Sequence, residues 1–313
     1  MTKRKRIIIM FAALLLVLVF GVFAVVNYYV RLANTGLKNA IPYGFGKEAR
    51  VIILAGQSNA EGFSQLAYLK KTTTPEQYAR YEKGFDNVYV NDFTTAEEKW
   101  GGFVRCKAGE RAPDGFFGPE LGLAERLSEL YPDETFFIIK FAWGGTDLAN
   151  LWRAPSSGGE IGQLYSGLIE HVAKSIEFLT LKNYDVKIEA MCWMQGESDA
   201  EDIARAAEYE SNLAHFVSDV RAALADHAAP GGIGFVDAYI SRSWEHYKTV
   251  NAAKQEIADT SPMNVVIDTI AMGLTVTKEP EKEPDTAHYD AGSEIKLGHL
   301  FAEECAKFFD ETQ

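Results

Sequence analysis

From residue 50 onward, short apolar runs alternate with longer amphipathic stretches. Runs at 51–55, 136–142, 186–194, 233–240 and 264–267 have strand length. They are largely continuous rather than alternating, which predicts a sheet covered on both faces. Between them, 120–130 places Leu121, Leu123, Ala124, Leu127 and Leu130 at helical spacing behind Pro119, a residue suited to an early helix position. Further helices are predicted over 164–181, 200–226, 244–258 and 292–309. Strands alternating with helices in this way predict an α/β fold with a parallel sheet sandwiched by helices. Residues 61–118 lack clean periodicity and are rich in Gly, Asp and aromatics, so they read as a long loop insertion beside the site, with short elements that the pattern does not place.

The first 30 residues follow another pattern. Lys-Arg-Lys-Arg at 3–6 precedes residues 7–30, which carry no formal charge and only Asn27, Tyr28 and Tyr29 as polar interruptions. As a helix this run is about 36 Å long, enough to span a hydrocarbon core of about 30 Å. It exceeds a secretory h-region and no small-x-small cleavage site follows, so a retained signal anchor is the expectation over a cleaved signal peptide. The basic cluster should stay cytoplasmic, with Tyr28 and Tyr29 at the opposite interface. The expected organisation is a cytoplasmic cluster and transmembrane anchor at 1–30, which holds the protein to the lipid bilayer through a single pass, a tether at 31–49, and an extracytoplasmic body at 50–313.

Charge narrows the partners. The 313 residues include 44 acids and 31 bases, for a net charge of -13. Seven of the bases and one acid fall in 1–49, leaving 24 bases against 43 acids in the body. So acidic a body repels phosphate backbones, and nucleic acid is excluded as a partner. Cys106, Cys192 and Cys305 show neither a C-x-x-C pair nor metal-ligand spacing with histidine. Cys192 lies within an apolar run and reads as a small core residue.

In open α/β sheets, sites gather at the carboxyl ends of the strands. Behind the first strand stands Gly56-Gln57-Ser58-Asn59, where a serine on a tight turn projects its hydroxyl above the sheet, or else serves as a helix N-cap. Behind the second, Trp143-Gly144-Gly145-Thr146-Asp147 exposes backbone N–H groups that suit an oxyanion, or forms a plain glycine turn. Behind the third, Gln195-Gly196-Glu197-Ser198-Asp199 offers an amide donor, while Glu197 and Asp199 also read as acids at a helix start. Before the last helix, His288 supplies a general base and Asp285 a partner for its other ring nitrogen. His171, His215, His227, His246 and His299 fall on helical or linker segments. A parallel sheet brings the four loops together, and their combined chemistry is acyl transfer through a serine.

These residues resemble the SGNH hydrolases, in particular the branch of carbohydrate esterase family 6 and the sialate O-acetylesterases. The resemblance rests on Ile53-Leu-Ala-Gly-Gln-Ser-Asn59, Phe117-Gly-Pro-Glu120, Gly144-Gly-Thr146, Trp193-Met-Gln-Gly-Glu-Ser-Asp199 and Asp285-x-x-His288, which together cover nearly the whole body. It implies a three-layer α/β/α sandwich with a parallel sheet of about five strands. It implies Ser58 as nucleophile, His288 as base and Asp285 as its acidic partner. The Ser58 and Gly145 N–H groups and the Gln195 side chain would form the oxyanion hole; Gln195 stands where many SGNH members place an asparagine. Glu197 matches the acid of the family's Gln-Gly-Glu, with three roles open: bracing His288, orienting Gln195 or shaping the floor. No metal or organic cofactor is implied. The implied reaction is removal of O-acetyl groups from a glycan through an acetyl-serine. Asp147, where many relatives carry serine, argues against anionic sugars. Trp100, Trp143, Trp152, Phe116 and Phe117 are candidate stacking faces, or core. Two other functions remain open: a lipid esterase or thioesterase with the same chemistry, and a silent glycan-binding module.

Overall fold

The computed structural model describes residues 3–34, 41–93, 102–109, 115–276 and 285–309. The elements in chain order are α1 (Lys3–Asn34), β1 (Glu48–Gly56), α2 (Ser58–Glu61), β2 (Ser64–Gln65), α3 (Leu66–Thr72), α4 (Pro75–Lys83), β3 (Val88–Phe93), β4 (Val104–Arg105) and β5 (Phe116–Phe117). There follow α5 (Glu120–Leu130), β6 (Phe136–Ala142), α6 (Gln163–Leu181), β7 (Asp185–Met194), α7 (Ile203–Ala223), β8 (Gly234–Ala238), α8 (Tyr247–Asp259), β9 (Asn264–Ile267) and α9 (Ala291–Phe309).

Seven strands form one sheet in the order β4-β3-β6-β1-β7-β8-β9, parallel except where β4 pairs antiparallel with β3. Consecutive residues of a strand point to opposite faces, and β7 shows both helix layers. Cys192 lies against Cys305 of α9, with the two sulfurs 3.5 Å apart, while Trp193 packs on Phe216 of α7 at 4.5 Å between ring centroids. Cys192 is indeed a fully buried core residue. The α/β/α sandwich expected from the alternating pattern is therefore the observed fold.

The five apolar runs are all strands of this sheet, but the sheet has two more. Both come from 61–118, where the pattern predicts a loop insertion with short elements it does not place. β3 escaped because its middle is polar: Asn91 and Asp92 are buried, Asn91 donates to Ser175 Oγ at 2.9 Å, and Asp92 lies 3.4 Å from the Lys140 ammonium. Buried partners made those polar positions compatible with a central strand, and hydropathy alone cannot register partners. The same stretch also folds into α3, α4 and the small β2–β5 pair. The long helix expected at 200–226 starts later, at Ile203, because Asp202 is its N-cap and accepts from the N–H groups of Ala204 and Arg205.

α1 contains a stretch, Ala13–Ala33, with mean hydropathy 2.4 and none of it buried. Its far end touches the body: the Tyr28 and Tyr43 hydroxyls are 2.7 Å apart, and Arg31 pairs with Glu177 of α6 at 3.0 Å. Of the segment read as a tether, 31–34 prolong α1, 35–40 lie outside the described residues, and 41–47 pack beneath the sheet. There the Lys182 ammonium donates to the Ile41 carbonyl, and the Gly44 N–H donates to the Lys182 carbonyl, both at 2.8 Å. The chain thus enters β1 at the edge of the sheet opposite the strand ends that carry the site.

At that entry edge, Glu189 of β7 is buried beside Arg50. Burial raises its pKa to about 7, with Glu48 and Glu134 adding to the rise and Arg50 opposing it. Because the folded value exceeds the unfolded one of about 4.3, Glu189 ionises at a cost to stability as pH rises from there through about 7. Glu189→Gln is therefore expected to raise Tm at pH 8 by about 2–4 °C, the equivalent of about 1 kcal/mol in a domain of this size. The gain should vanish at pH 4, and thermal melts at the two pH values check this.

Candidate active site

The register of the three central strands builds the site. Gly56, the last residue of β1, is level with Ala142 of β6 on one side and Met194 of β7 on the other. The segments leaving these strands, Gln57-Ser58, Trp143-Gly144-Gly145 and Gln195 to Asp199, must therefore be neighbours. Gly56 has φ +144°, and a Cβ there would lie 1.9 Å from the Met194 carbonyl oxygen, so only glycine fits where β1 turns against β7. The turn is fixed by Gln57 N–H donating to the Met194 carbonyl at 2.9 Å and Trp143 N–H donating to the Gly56 carbonyl at 3.0 Å.

Ser58 is the first residue of α2, and the N-cap is Gln57, which makes no side-chain capping bond. The N-cap alternative for this serine therefore does not hold. α2 is braced from below by the fully buried Lys140, which donates to the Glu61 carbonyl at 2.7 Å and to Glu120 at 2.9 Å. Burial opposes the charge on this ammonium, but the carboxylates of Asp92, Glu120 and Glu61 prevail and raise its pKa.

Ser58 and His288 line the same cavity, of about 390 Å³, together with Gln57, Glu61, Phe63, Trp143, Gly144, Gly145, Ser198, Glu201, Trp244 and Ala287. Asp285 Oδ2 lies 2.8 Å from His288 Nδ1, and Asp285 Oδ1 accepts from the N–H groups of Ala287 and His288 at 2.9 and 3.0 Å. Partial burial pushes the Asp285 pKa up, but these three bonds outweigh it and hold the carboxyl at about 2. The carboxylate is then an acceptor, so His288 Nδ1 carries the proton and Nε2 is left as the basic nitrogen. Phe63 stacks on the imidazole with centroids 4.9 Å apart and planes inclined by 22°.

Asn59 joins the two halves. Its Nδ2 donates to Glu197 Oε1 at 2.8 Å and to the Ala287 carbonyl at 3.1 Å, and its Oδ1 accepts from Tyr289 N–H at 3.0 Å. The residue after Ser58 thus grips the chain on both sides of His288. Glu197 is fully buried, and burial raises its pKa while the Asn59 bond opposes the rise. Of the roles open for Glu197, its recorded contact is with Asn59 rather than with His288 or Gln195.

Gly145 adopts φ +69°, and its N–H has no hydrogen-bond partner among the described residues, whereas the Gly144 N–H is taken by Glu61 at 2.7 Å. Gln195 departs from the expectation of an oxyanion donor. It is fully buried and does not line the cavity; its Nε2 donates to the Thr146 carbonyl at 2.9 Å and to Asp199 Oδ2 at 2.6 Å. Asp199 in turn accepts from the N–H groups of Leu148 and Ala149, so it holds the segment after the glycine turn, and it is also the first residue of a short 3-10 helix, Asp199–Glu201. Burial lifts its pKa to about 6 against these bonds.

The side chain that the sequence pattern does not single out is Gln57. Its Oε1 faces Gln195 Nε2 and the Ser198 N–H, each at 3.3 Å. Both are donors, which fixes the amide orientation and leaves Nε2, without a partner among the described residues, on a side chain that lines the cavity. The motif containing Gln57 was visible, but the donor could be assigned only once the neighbours were known. Of the candidate stacking faces, Trp143 lines the cavity and is 38% exposed, Trp152 and Phe117 are core, Phe116 is half-buried, and Trp100 lies outside the described residues. No cluster of three or more metal-ligating side chains occurs among the described residues.

Comparison with known proteins agrees with this architecture. The fold is similar to that of NanS, with 15% identity, a TM-score of 0.63, and 87% of this chain and 100% of that one covered. It is also similar to a protein from Arabidopsis thaliana, with 18% identity, a TM-score of 0.58, and 83% and 98% covered. A carbohydrate acetylesterase from Xanthomonas citri shares 16% identity at a TM-score of 0.55, with 85% and 57% covered. None of the curated proteins matches the chain. Residues 48–307 match the family described as carbohydrate esterase, sialic acid-specific acetylesterase, and the chain belongs to that family of ester hydrolases.

Proposed function

We propose that this protein is a serine esterase that removes O-acetyl groups from carbohydrates, held at the outer face of a membrane by α1. The observation that carries the reading is the shared cavity of Ser58 and His288, with Asp285 fixing the imidazole tautomer.

In this mechanism His288 Nε2 takes the Ser58 hydroxyl proton as Oγ attacks the acetyl carbonyl. The oxyanion receives the N–H groups of Ser58 and Gly145 and the Gln57 amide. The tetrahedral intermediate collapses, the proton on Nε2 passes to the leaving sugar oxygen, and acetyl-Ser58 remains. Water, deprotonated by the same nitrogen, attacks the acyl carbon; the second tetrahedral intermediate collapses, the proton passes from Nε2 to the departing Ser58 Oγ, and acetate is released. Asp285 stays ionised throughout and stabilises the imidazolium. Gln195, Asp199 and Glu197 act beneath the site as positioning residues, the first two through Gln57 and the glycine turn, the third through Asn59.

Anchoring is supported by the uncovered apolar length of α1, and orientation by the basic cluster at its start. The side chains of most of that cluster lie outside the described residues. Because 41–47 pack at the entry edge of the sheet, the cavity at the opposite edge would open away from the bilayer, toward a glycan substrate.

The test is acetate release by the full chain in detergent from acetylated xylan, peptidoglycan, sialosides and p-nitrophenyl acetate, with fluorophosphonate labelling mapped by peptide mass spectrometry. Labelling at Ser58 with acetate release supports the proposal, and glycan retention without labelling would instead mean a binding module. Octanoyl esters turned over faster than acetyl esters would shift the reading to a lipid esterase. The oxyanion assignment has its own check: Gln57→Ala is expected to lower kcat by about 10²–10³-fold with little change in KM, the usual cost of one lost donor. Gln57→Glu should do no better, because a carboxylate has no proton to give. A Gln57→Ala enzyme with normal kcat would assign the hole to other donors.

A further inference from the structure

The cavity walls bear on the sugar itself, on the understanding that the site is an acetylesterase. Beyond the reacting groups, the wall presents the exposed face of Trp143 together with Trp244, and two carboxylates, Glu61 and Glu201. Glu61 is engaged by the Gly144 N–H at 2.7 Å. Glu201 is exposed and makes no ion pair among the described residues. No Lys or Arg is among the residues lining the cavity. Arg205 donates to the carbonyl of the wall residue Ser198 at 2.9 Å without itself lining the cavity, and Arg242 lines a separate groove with Thr269, Thr275 and Tyr289. Asp147, at the next turn, accepts from the Asn150 N–H at 2.6 Å and makes no ion pair among the described residues.

We propose that the site takes an uncharged acetylated sugar, its ring lying on Trp143 and a free hydroxyl donating to Glu201, and that it turns away sugars bearing a carboxylate. An aromatic face binds the apolar C–H side of a pyranose without regard to charge. A carboxylate accepts from a sugar hydroxyl with a charge-assisted bond. The same carboxylate repels a second one brought into the cavity, and no Lys or Arg lines the wall to pair with the incoming charge. The preference therefore runs opposite to the sialic acid named in the family description.

The experiment compares kcat/KM of the full chain in detergent on acetylated xylo-oligosaccharide and on 9-O-acetyl-N-acetylneuraminic acid, each divided by the same enzyme's rate on p-nitrophenyl acetate. The neutral ester is expected to be preferred by about 10-fold or more. Glu201→Lys should remove most of that preference, and Trp143→Ala should raise KM for the oligosaccharide. Higher ionic strength should narrow the wild-type preference, which a purely steric selection would not do, because salt screens charge and not shape. Preference for the sialoside, or a ratio unmoved by both salt and Glu201→Lys, would overturn the proposal. Normal turnover of p-nitrophenyl acetate in that case leaves the esterase reading standing; no turnover of any ester by the wild-type chain overturns both.

Discussion

Ser58→Ala is expected to lower kcat on p-nitrophenyl acetate by about 10⁴–10⁶-fold, the range seen when a nucleophile is removed from a triad that acts as a unit. Tm should hold within about 2 °C, since a serine-to-alanine change away from any structural bond belongs with substitutions worth about 0.5 kcal/mol or less. The two halves of this expectation come from different observations. Loss of rate follows from Ser58 lining the cavity with His288. Retention of the fold follows from the capping geometry: Gln57, not Ser58, is the N-cap of α2, so no helix end depends on the hydroxyl. Steady-state kinetics, thermal melts and fluorophosphonate labelling check it. Unchanged kcat would remove Ser58 from the mechanism. A collapsed Tm would mean that the hydroxyl is structural and that lost activity says nothing about chemistry.

The main frame of this molecule was legible because its strands are apolar from end to end and its loops carry concentrated chemistry. Strand ends could be located from hydropathy, and Ser58, Gly145, Asp285 and His288 all follow such ends or precede the last helix. Their meeting then required only a parallel sheet, in which the register of β1 with β6 and β7 brings three loops together. What stayed illegible was every feature that depends on a buried polar partner. β3 is hidden because Asn91 and Asp92 meet Ser175 and Lys140 from elsewhere in the chain. Gln195 was assigned a donor role that its bonds to Thr146 and Asp199 already occupy. Gln57, one position before Ser58, keeps an amide N–H₂ without a partner among the described residues. A single sequence states which side chains can donate; only the packed neighbours state which donor is left over. Asn59 is the strongest example of this, because an asparagine after a serine carries no signal of the residues it will hold 138 and 230 positions away.

Asn59→Ala is accordingly expected to cost both stability and rate. The truncation leaves Glu197 Oε1, the Ala287 carbonyl and the Tyr289 N–H without the partner each has in the native chain. A buried group stranded in this way costs about 1–3 kcal/mol, so the sum is comparable to a severe core mutation, reduced by whatever water enters the space. The catalytic effect arises separately. The His288 segment loses the grip on its two flanking residues, and a misplacement of about 1 Å in a reacting group can cost about 10²-fold in kcat. Asn59→Asp tells the two effects apart. It keeps the acceptor for Tyr289 N–H but sets a carboxylate against Glu197 and against the Ala287 carbonyl. Glu197 already has its pKa raised by burial, with the Asn59 bond opposing the rise, so a second acid in place of that donor raises it further. Two carboxyls raised above their unfolded values cost stability as pH increases, which means the Tm deficit of Asn59→Asp should be largest at pH 8 and shrink toward pH 5. The Asn59→Ala deficit, which involves one titrating group fewer, should vary less. Melts of both variants across this range, with kcat measured at pH 8, decide the matter. A wild-type kcat in Asn59→Ala would show that the His288 segment is held by its own Asp285 turn and that the bridge from α2 is dispensable.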